Sequence, residues 1–234
     1  AAVLALGGLT PAEATRVRVR LAQSLADSGQ LYAAAGMYRE AAAAPEGPTA
    51  AERTEWLRLA TVHLLATGHH DEGRATLEVL LPRVGLKMTG GAASTIVRLL
   101  GARALLKLRK LELPRGTRPR LSEAEVQRLD VCWTATRGLI YVDGISSALF
   151  HARHLDLALS SGDLLRAARA IAFEAYLGVL TAGDGADAHS RAVFTALLAE
   201  PEVQADAYTF GMITQFWASC QYMLCRFTDG VRDS

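Results

Sequence analysis

His151 and His154 stand three residues apart with Asp156 close behind, and on a helix an i, i+3 pair can face one metal ion. The apolar stripe of that segment runs through Ala152 and Leu155, which sets both histidines at its flanks. There is no Glu-x-x-His, and no second matched pair supplies the remaining ligands, so polar packing is the expectation and no metal site is assigned. His69-His70 sits in a turn, where His70 or Asp71 starts the next helix. Cys132 and Cys220 become nucleophile candidates only beside a histidine, and no spacing in the chain brings one there. Gly7-Gly8, Gly90-Gly91 and Gly183-Asp184-Gly185 lack the following Gly-Lys-Ser/Thr and the preceding strand of a phosphate loop. Kinase signatures of the His-Arg-Asp and Asp-Phe-Gly type are missing too. The expectation is a chain with no catalytic residue, no metal and no cofactor.

Charge points to a different chemistry. Between residues 98 and 120 stand Arg98, Arg103, Lys107, Arg109, Lys110, Arg115, Arg118 and Arg120, opposed only by Glu112. Arg103, Lys107 and Lys110 share one helix face and are the candidate partner-binding residues, for an acidic protein surface or a neighbouring domain. Nucleic acid fits less well, because net charge is only +1 and no aromatics interleave the basic run.

These residues are carried almost wholly on helices. Apolar side chains recur at helical spacing, and no stretch alternates with period two. A first helix over 11–28 carries Ala14, Val17, Leu21 and Leu25 on one face, and its partner carries Leu31, Ala34, Tyr38 and Ala41. Trp56, Ala60 and Leu64 mark the next pair, with Gly73, Leu77, Leu80 and Val84. Val97, Leu100, Ala104, Leu108 and Leu111 mark the apolar face of a longer helix. Later helices follow Val126 to Ile140, Ile145 to Leu159, Leu165 to Val179, Ala188 to Ala199 and Ala207 to Leu224. Thr10-Pro11-Ala12-Glu13, Thr49-Ala50-Ala51-Glu52 and Ser122-Glu123-Ala124-Glu125 are capping boxes that open three of them. Asp143 is the expected N-cap after the turn at Tyr141.

A shared turn joins the hairpins. Ser28-Gly29, Thr67-Gly68 and Ser161-Gly162 each end a helix on hydroxyl-then-glycine, the glycine supplying the left-handed residue. Five residues on, the side chain is small (Ala34, Gly73, Ala167); nine on, it is bulky (Tyr38, Leu77, Ile171). A small residue at a helix crossing with a large one beyond it is stacked-hairpin packing. The first two glycines lie 39 residues apart and the next gap is 94, against about 34 for a tetratricopeptide unit. The repeats are therefore degenerate. Pro114, Gly116 and Pro119 break the pattern in a loop over 112–121, which separates a front half, 1–111, from a back half, 122–234, of one domain covering 1–234.

Composition agrees. Half of the 234 residues are hydrophobic, alanine fills 42 positions, and aromatics make up only 6%. Alanine suits closely approaching helices. Three cysteines, an odd number inside helical segments, read as small buried hydrophobes of a reducing, cytoplasmic compartment. Residues 207–225 are uncharged for 19 positions, but Thr209, Thr214, Gln215, Ser219 and Gln221 are costly in hydrocarbon, so a buried helix and no membrane partner are expected. That helix carries Ile213, Trp217, Cys220 and Leu224 on one face and Phe210, Met212, Phe216 and Met223 around the rest. Surface so broadly apolar favours self-association. Both termini read as cuts from the interior of a longer protein.

A family likeness rests on Val17-Arg18-Val19-Arg20-Leu21-Ala22, Gly68-His69-His70-Asp71-Glu72-Gly73 and Val84-Gly85-Leu86. Leu129-Asp130-Val131-Cys132-Trp133 and Ala152-Arg153-His154-Leu155 continue it, in order, over nearly the whole chain. Together they resemble the helical-repeat, TPR-like region of bacterial proteins that fuse a serine/threonine kinase to a STAND/AAA-type ATPase. The 112–121 loop departs from that pattern. The resemblance implies a signalling role, in which the repeats sense a partner and regulate kinase and ATPase domains elsewhere in the chain. It carries no catalytic or nucleotide-binding residue to this segment.

The expected protein is thus all-α, an irregular TPR-like helical-hairpin solenoid of about ten helices. Its expected function is that of a non-catalytic scaffold or sensor module for protein–protein interaction. The alternatives are a nucleic-acid-binding helical array of a transcription regulator and a small-molecule sensor with a pocket between helix pairs.

Overall fold

A computed structural model describes residues 8–88, 90–109, 111–114 and 121–226. The described residues are helical, with no strand among them. The helices are α1 (Pro11–Asp27), α2 (Leu31–Ala43), α3 (Ala50–Ala66), α4 (His70–Leu80), α5 (Ala92–Lys107), α6 (Glu123–Leu139), α7 (Gly144–Ser161), α8 (Leu164–Ala182), α9 (Asp187–Leu198), the short α10 (Pro201–Ala205) and α11 (Ala207–Met223). Two 3-10 turns, Leu81–Val84 and Gly183–Ala186, extend α4 and precede α9. No described helix is long and apolar enough to cross a membrane.

The chain divides into two compact units. One comprises the described residues of Ala1–Ala102 with Ser122–Phe150; the other comprises those of Arg103–Leu121 with His151–Ser234. The chain passes from one unit to the other inside α5, between Leu121 and Ser122 at the end of the 112–121 loop, and inside α7, so the halves 1–111 and 122–234 are not the two units.

In the first unit α1 packs on α2, α2 on α3, and α3 on both α4 and α6. Local chemistry sets the ends of these helices. Thr10, Thr49 and Ser122 each accept the backbone N–H of the glutamate three residues on, while that glutamate's side chain receives the cap N–H. Gly29 and Gly68 adopt φ of 80° and 79°. Gln30 N–H donates to the Leu25 carbonyl at 2.8 Å and His69 N–H to that of Leu64 at 3.0 Å, the six-to-one bond that closes a helix on a left-handed glycine. The spacing from each glycine holds in three dimensions, since Ala34, Tyr38, Gly73 and Leu77 are all buried.

Two faces differ from expectation. In α1 the deepest residues are Thr15 and Ala22, with Val19, Leu25 and Ala26 packing beside them, while Leu21 is only half-buried. The four-residue ridge through Thr15, Val19, Ala22 and Ala26 is smaller and lets α2 approach more closely. In α5 the difference is larger. Thr95 and Leu106 are buried, whereas Val97, Leu100 and Leu108 are 70%, 64% and 85% exposed.

The second unit centres on α8, which packs against α9, α10 and α11. Ala167, Ala168, Ala172 and Ala175 open its surface to close contact, and Ile171, Phe173 and Tyr176 fill the space between. Gly162 takes φ of 77° ahead of it, and Asp163 caps it through the Arg166 N–H. Phe216 of α11 meets Phe173 edge-on and stacks on Tyr176. Ile213, Trp217, Cys220, Met212 and Phe216 are accordingly buried, leaving Phe210 and Met223 about two-fifths exposed at 40% and 41%. Most of the apolar girth of α11 finds its neighbours inside this unit. Its end repeats the hairpin-turn bonding with Cys225 in the left-handed position, at φ 56°, as Arg226 N–H donates to the Gln221 carbonyl at 2.8 Å.

Candidate functional site

The basic run is divided by what its members touch. Arg103, in the last turns of α5, donates from Nη1 to Glu174 Oε1 of α8. Arg109 reaches α7, with Nη1 2.9 Å from the Asp156 carboxylate and 2.8 Å from Ser160 Oγ. Arg98 and Lys107 stand exposed on α5. Lys110, Arg115, Arg118 and Arg120 lie outside the described residues. Of the three candidate partner-binding residues, then, Arg103 serves an internal ion pair and Lys107 faces solvent.

Glu174 is shared. Its Oε2 lies 2.8 Å from His151 Nε2, which sets the tautomer with the proton on Nε2. His151 is fully buried, edge-on to Phe173 with ring centroids 4.9 Å apart. His154, one turn on, is also buried. Both histidines therefore sit in the core and not at the flanks of a stripe. Burial pushes the pKa of His151 down, with Glu174 pulling back in part. His154 is pushed well down by burial, by His151, and by Arg169 and Arg166. Burial would raise the Glu174 carboxyl, but its hydrogen bonds with His151 and Arg103 and the charge of the Arg103 guanidinium outweigh that and hold it low. The cluster is thus a carboxylate between a guanidinium and a neutral imidazole, a polar tie between α5, α7 and α8 in the second unit. Among the described residues no group of three or more ligating side chains is placed to hold a metal ion. Cys220 is a poor nucleophile, because burial and Asp187 push its thiol up to about 12.

The first unit holds a groove that the apolar periodicity did not reveal. Leu21 and Leu25 of α1, Tyr32, Gly36 and Met37 of α2, and Leu64 of α3 line a space of about 510 Å³. At one end Arg39 Nη1 pairs with Glu72 Oε2 at 2.9 Å, and Tyr32 Oη lies 3.2 Å from Glu72 Oε1. A methyl built on Gly36 would meet nothing within 4 Å, so this helical glycine keeps the groove open and is not required by packing. The readable signal was the pair Ala33 and Gly36, small residues on the side of α2 away from Ala34 and Tyr38. Neutralised charge at the rim and an apolar floor suit an apolar side chain or a small uncharged ligand.

No protein-family model, no curated protein and no solved structure matches the chain.

Proposed function

We propose that this chain is a non-catalytic helical-repeat module, TPR-like in its hairpins, that binds protein partners and regulates kinase and ATPase domains elsewhere in a cytoplasmic parent protein. The observation that carries the reading is the repeated hairpin unit. A left-handed glycine turn, a small residue five positions on and a large buried residue nine positions on recur at Gly29, Gly68 and Gly162. Such units stack into frames that present side chains to partners. The ordered likeness of five sequence blocks to kinase–ATPase fusion proteins supplies the regulatory part. Ion pairing of Arg103 and Arg109 speaks against a nucleic-acid role, since it removes two of the cations that a phosphate backbone would need.

The test is to compare the parent protein with and without this segment, reading autophosphorylation and ATP hydrolysis, with the segment alone as control. Altered rates in the parent and no turnover by the segment support the proposal. Unchanged rates, or turnover that survives repurification of the segment, overturn it. A small-molecule sensor is the second reading, favoured by the groove beside Gly36. Gly36→Trp would fill that groove, and a ligand whose thermal stabilisation of the protein disappears in this variant would establish it.

A further inference from the structure

Two hollows in the first unit share one arginine. The groove beside Gly36 is the first, and Arg39 is among its lining residues. Arg39 also lines a second space of about 320 Å³, with Ala42 and Ala43 of α2, Leu57 of α3, and Ala75 and Val79 of α4. Arg83, in the 3-10 turn that extends α4, lines it too. All of these residues belong to the first unit.

The order of these side chains describes an occupant. Gly36 and Ala43 stand seven residues apart on α2, which sets the two hollows about 10 Å apart along that helix. Between them Arg39 pairs with Glu72 of α4. Tyr32 bonds the same carboxylate, and its ring stacks on His69 with centroids 3.9 Å apart. The crossing is therefore polar and the two ends apolar. A chain in the polyproline-II conformation repeats every three residues at about 3.1 Å each, so side chains three apart point the same way about 9 Å from one another. Its backbone makes no internal hydrogen bonds. Arg39 uses one of its five N–H donors on Glu72, which leaves others for the carbonyls of a chain passing over it. A helix with anchors seven residues apart spans a similar distance, but its backbone groups are already paired and offer nothing to a polar crossing. A small uncharged ligand would need only the first hollow. Charge completes the description: Glu72 neutralises Arg39, whereas Arg83 is exposed and makes no ion pair among the described residues.

We propose that the two hollows form a docking groove for an extended acidic segment of a partner protein. A large aliphatic side chain enters the hollow beside Gly36, and a smaller one, three residues away, enters the hollow at Ala43 and Val79. A carboxylate next to the smaller side chain meets Arg83. The proposal rests on the interaction-module reading and names the partner's chemistry. The kinase and ATPase rates test that reading separately, so a failure here is distinguishable from a failure there.

The probes are short labelled peptides titrated against the whole chain by fluorescence anisotropy. Each places leucine three residues from valine, with proline between them to set the conformation and glutamate beside the valine. The two chain directions are made separately, because a segment can lie in the groove either way. Controls are a scrambled peptide, the same design with lysine for glutamate, and a helical peptide with leucine and valine seven residues apart. Saturable binding in at least one direction, tighter than every control, is expected. A methyl built on Gly36 meets nothing within 4 Å, and Ala75 is exposed. Gly36→Trp and Ala75→Trp, each checked for helical content by circular dichroism, should block one hollow apiece and weaken binding at least about tenfold. Arg83→Glu, at an exposed position, should exchange the preference for glutamate for one for lysine. No binding in either direction, equal binding of the scrambled peptide, or an unchanged charge preference overturns the proposal. So does tighter binding of the helical peptide, or full binding by either tryptophan variant, which would reduce the site to a single pocket.

Discussion

Leu65 of α3 lies directly over Gly73 of α4, so that a methyl at Gly73 would fall 2.6 Å from Leu65 Cδ2 and 2.7 Å from its Cγ. A methyl built on Gly138 of α6 would fall still closer to the other Cδ of Leu65, so the leucine is flanked by a glycine on each side. Two glycines in three helices thus set how near α4 and α6 come to α3. Alanine at Gly73 would gain about 1 kcal/mol of helix propensity and lose about 1–3 kcal/mol to overpacking. Gly73→Ala and Gly138→Ala should therefore both lower stability in urea. Combining Gly138→Ala with Leu65→Ala should cost less than the sum of the two changes.

Acid should destabilise the protein before its carboxylates titrate. His154 and His151 have lowered pKa values in the fold, and His63 is lowered in the same sense by burial and by Arg58. The unfolded chain binds those protons more readily, so stability is complete above the unfolded value of about 6.5 and is lost as pH falls below it. Each histidine contributes a slope of up to about 1.4 kcal/mol per pH unit. Urea titrations between pH 7 and 5 should show the loss, with a clearly shallower slope in His154→Gln. A flat profile in the unmodified protein would mean that these imidazoles are not buried neutral.

Removing one helix cap should be measurable and local. Thr49 N–H donates to Glu52 Oε2 at 2.7 Å and Thr49 Oγ1 accepts the Glu52 N–H at 3.2 Å. Thr49→Ala should cost about 1 kcal/mol and Thr49→Gly only a few tenths. Equal losses in the two variants would show that the side-chain cap contributes nothing.

Arg103 and Lys107 sit four residues apart in α5 and should behave differently. Arg103→Glu sets a second carboxylate against Glu174; because both partners keep a quarter to a third of their exposure, the loss should be about 1–2 kcal/mol. Lys107→Glu should stay within about 0.5 kcal/mol. Thermal melts of the two single variants separate a structural cation from a surface one.

Helix ends and hairpin turns were legible in the sequence because the bonds that make them span three to six residues. Thr10, Thr49 and Ser122 need only the glutamate three positions on, and Gly29, Gly68 and Gly162 need only a conformation that glycine adopts without strain. Even the small and large residues at five and nine positions could be placed, since helical spacing from the glycine turns both to the same side, and all six are buried. Position on a helix face was a different matter. In α5 the residues Val97, Leu100, Ala104 and Leu108 and the residues Thr95, Leu99, Ala102 and Leu106 both repeat at helical spacing, so periodicity names two faces and cannot choose between them. Only the surrounding helices decide which one is covered, and they cover the second. The same holds for His151. Its neighbours in the chain are small or apolar, and its place in the core depends on Glu174, 23 residues away, and Arg103, which reaches Glu174 from α5. A buried imidazole is tolerable only with a hydrogen-bond partner, and that partner was supplied by tertiary structure alone.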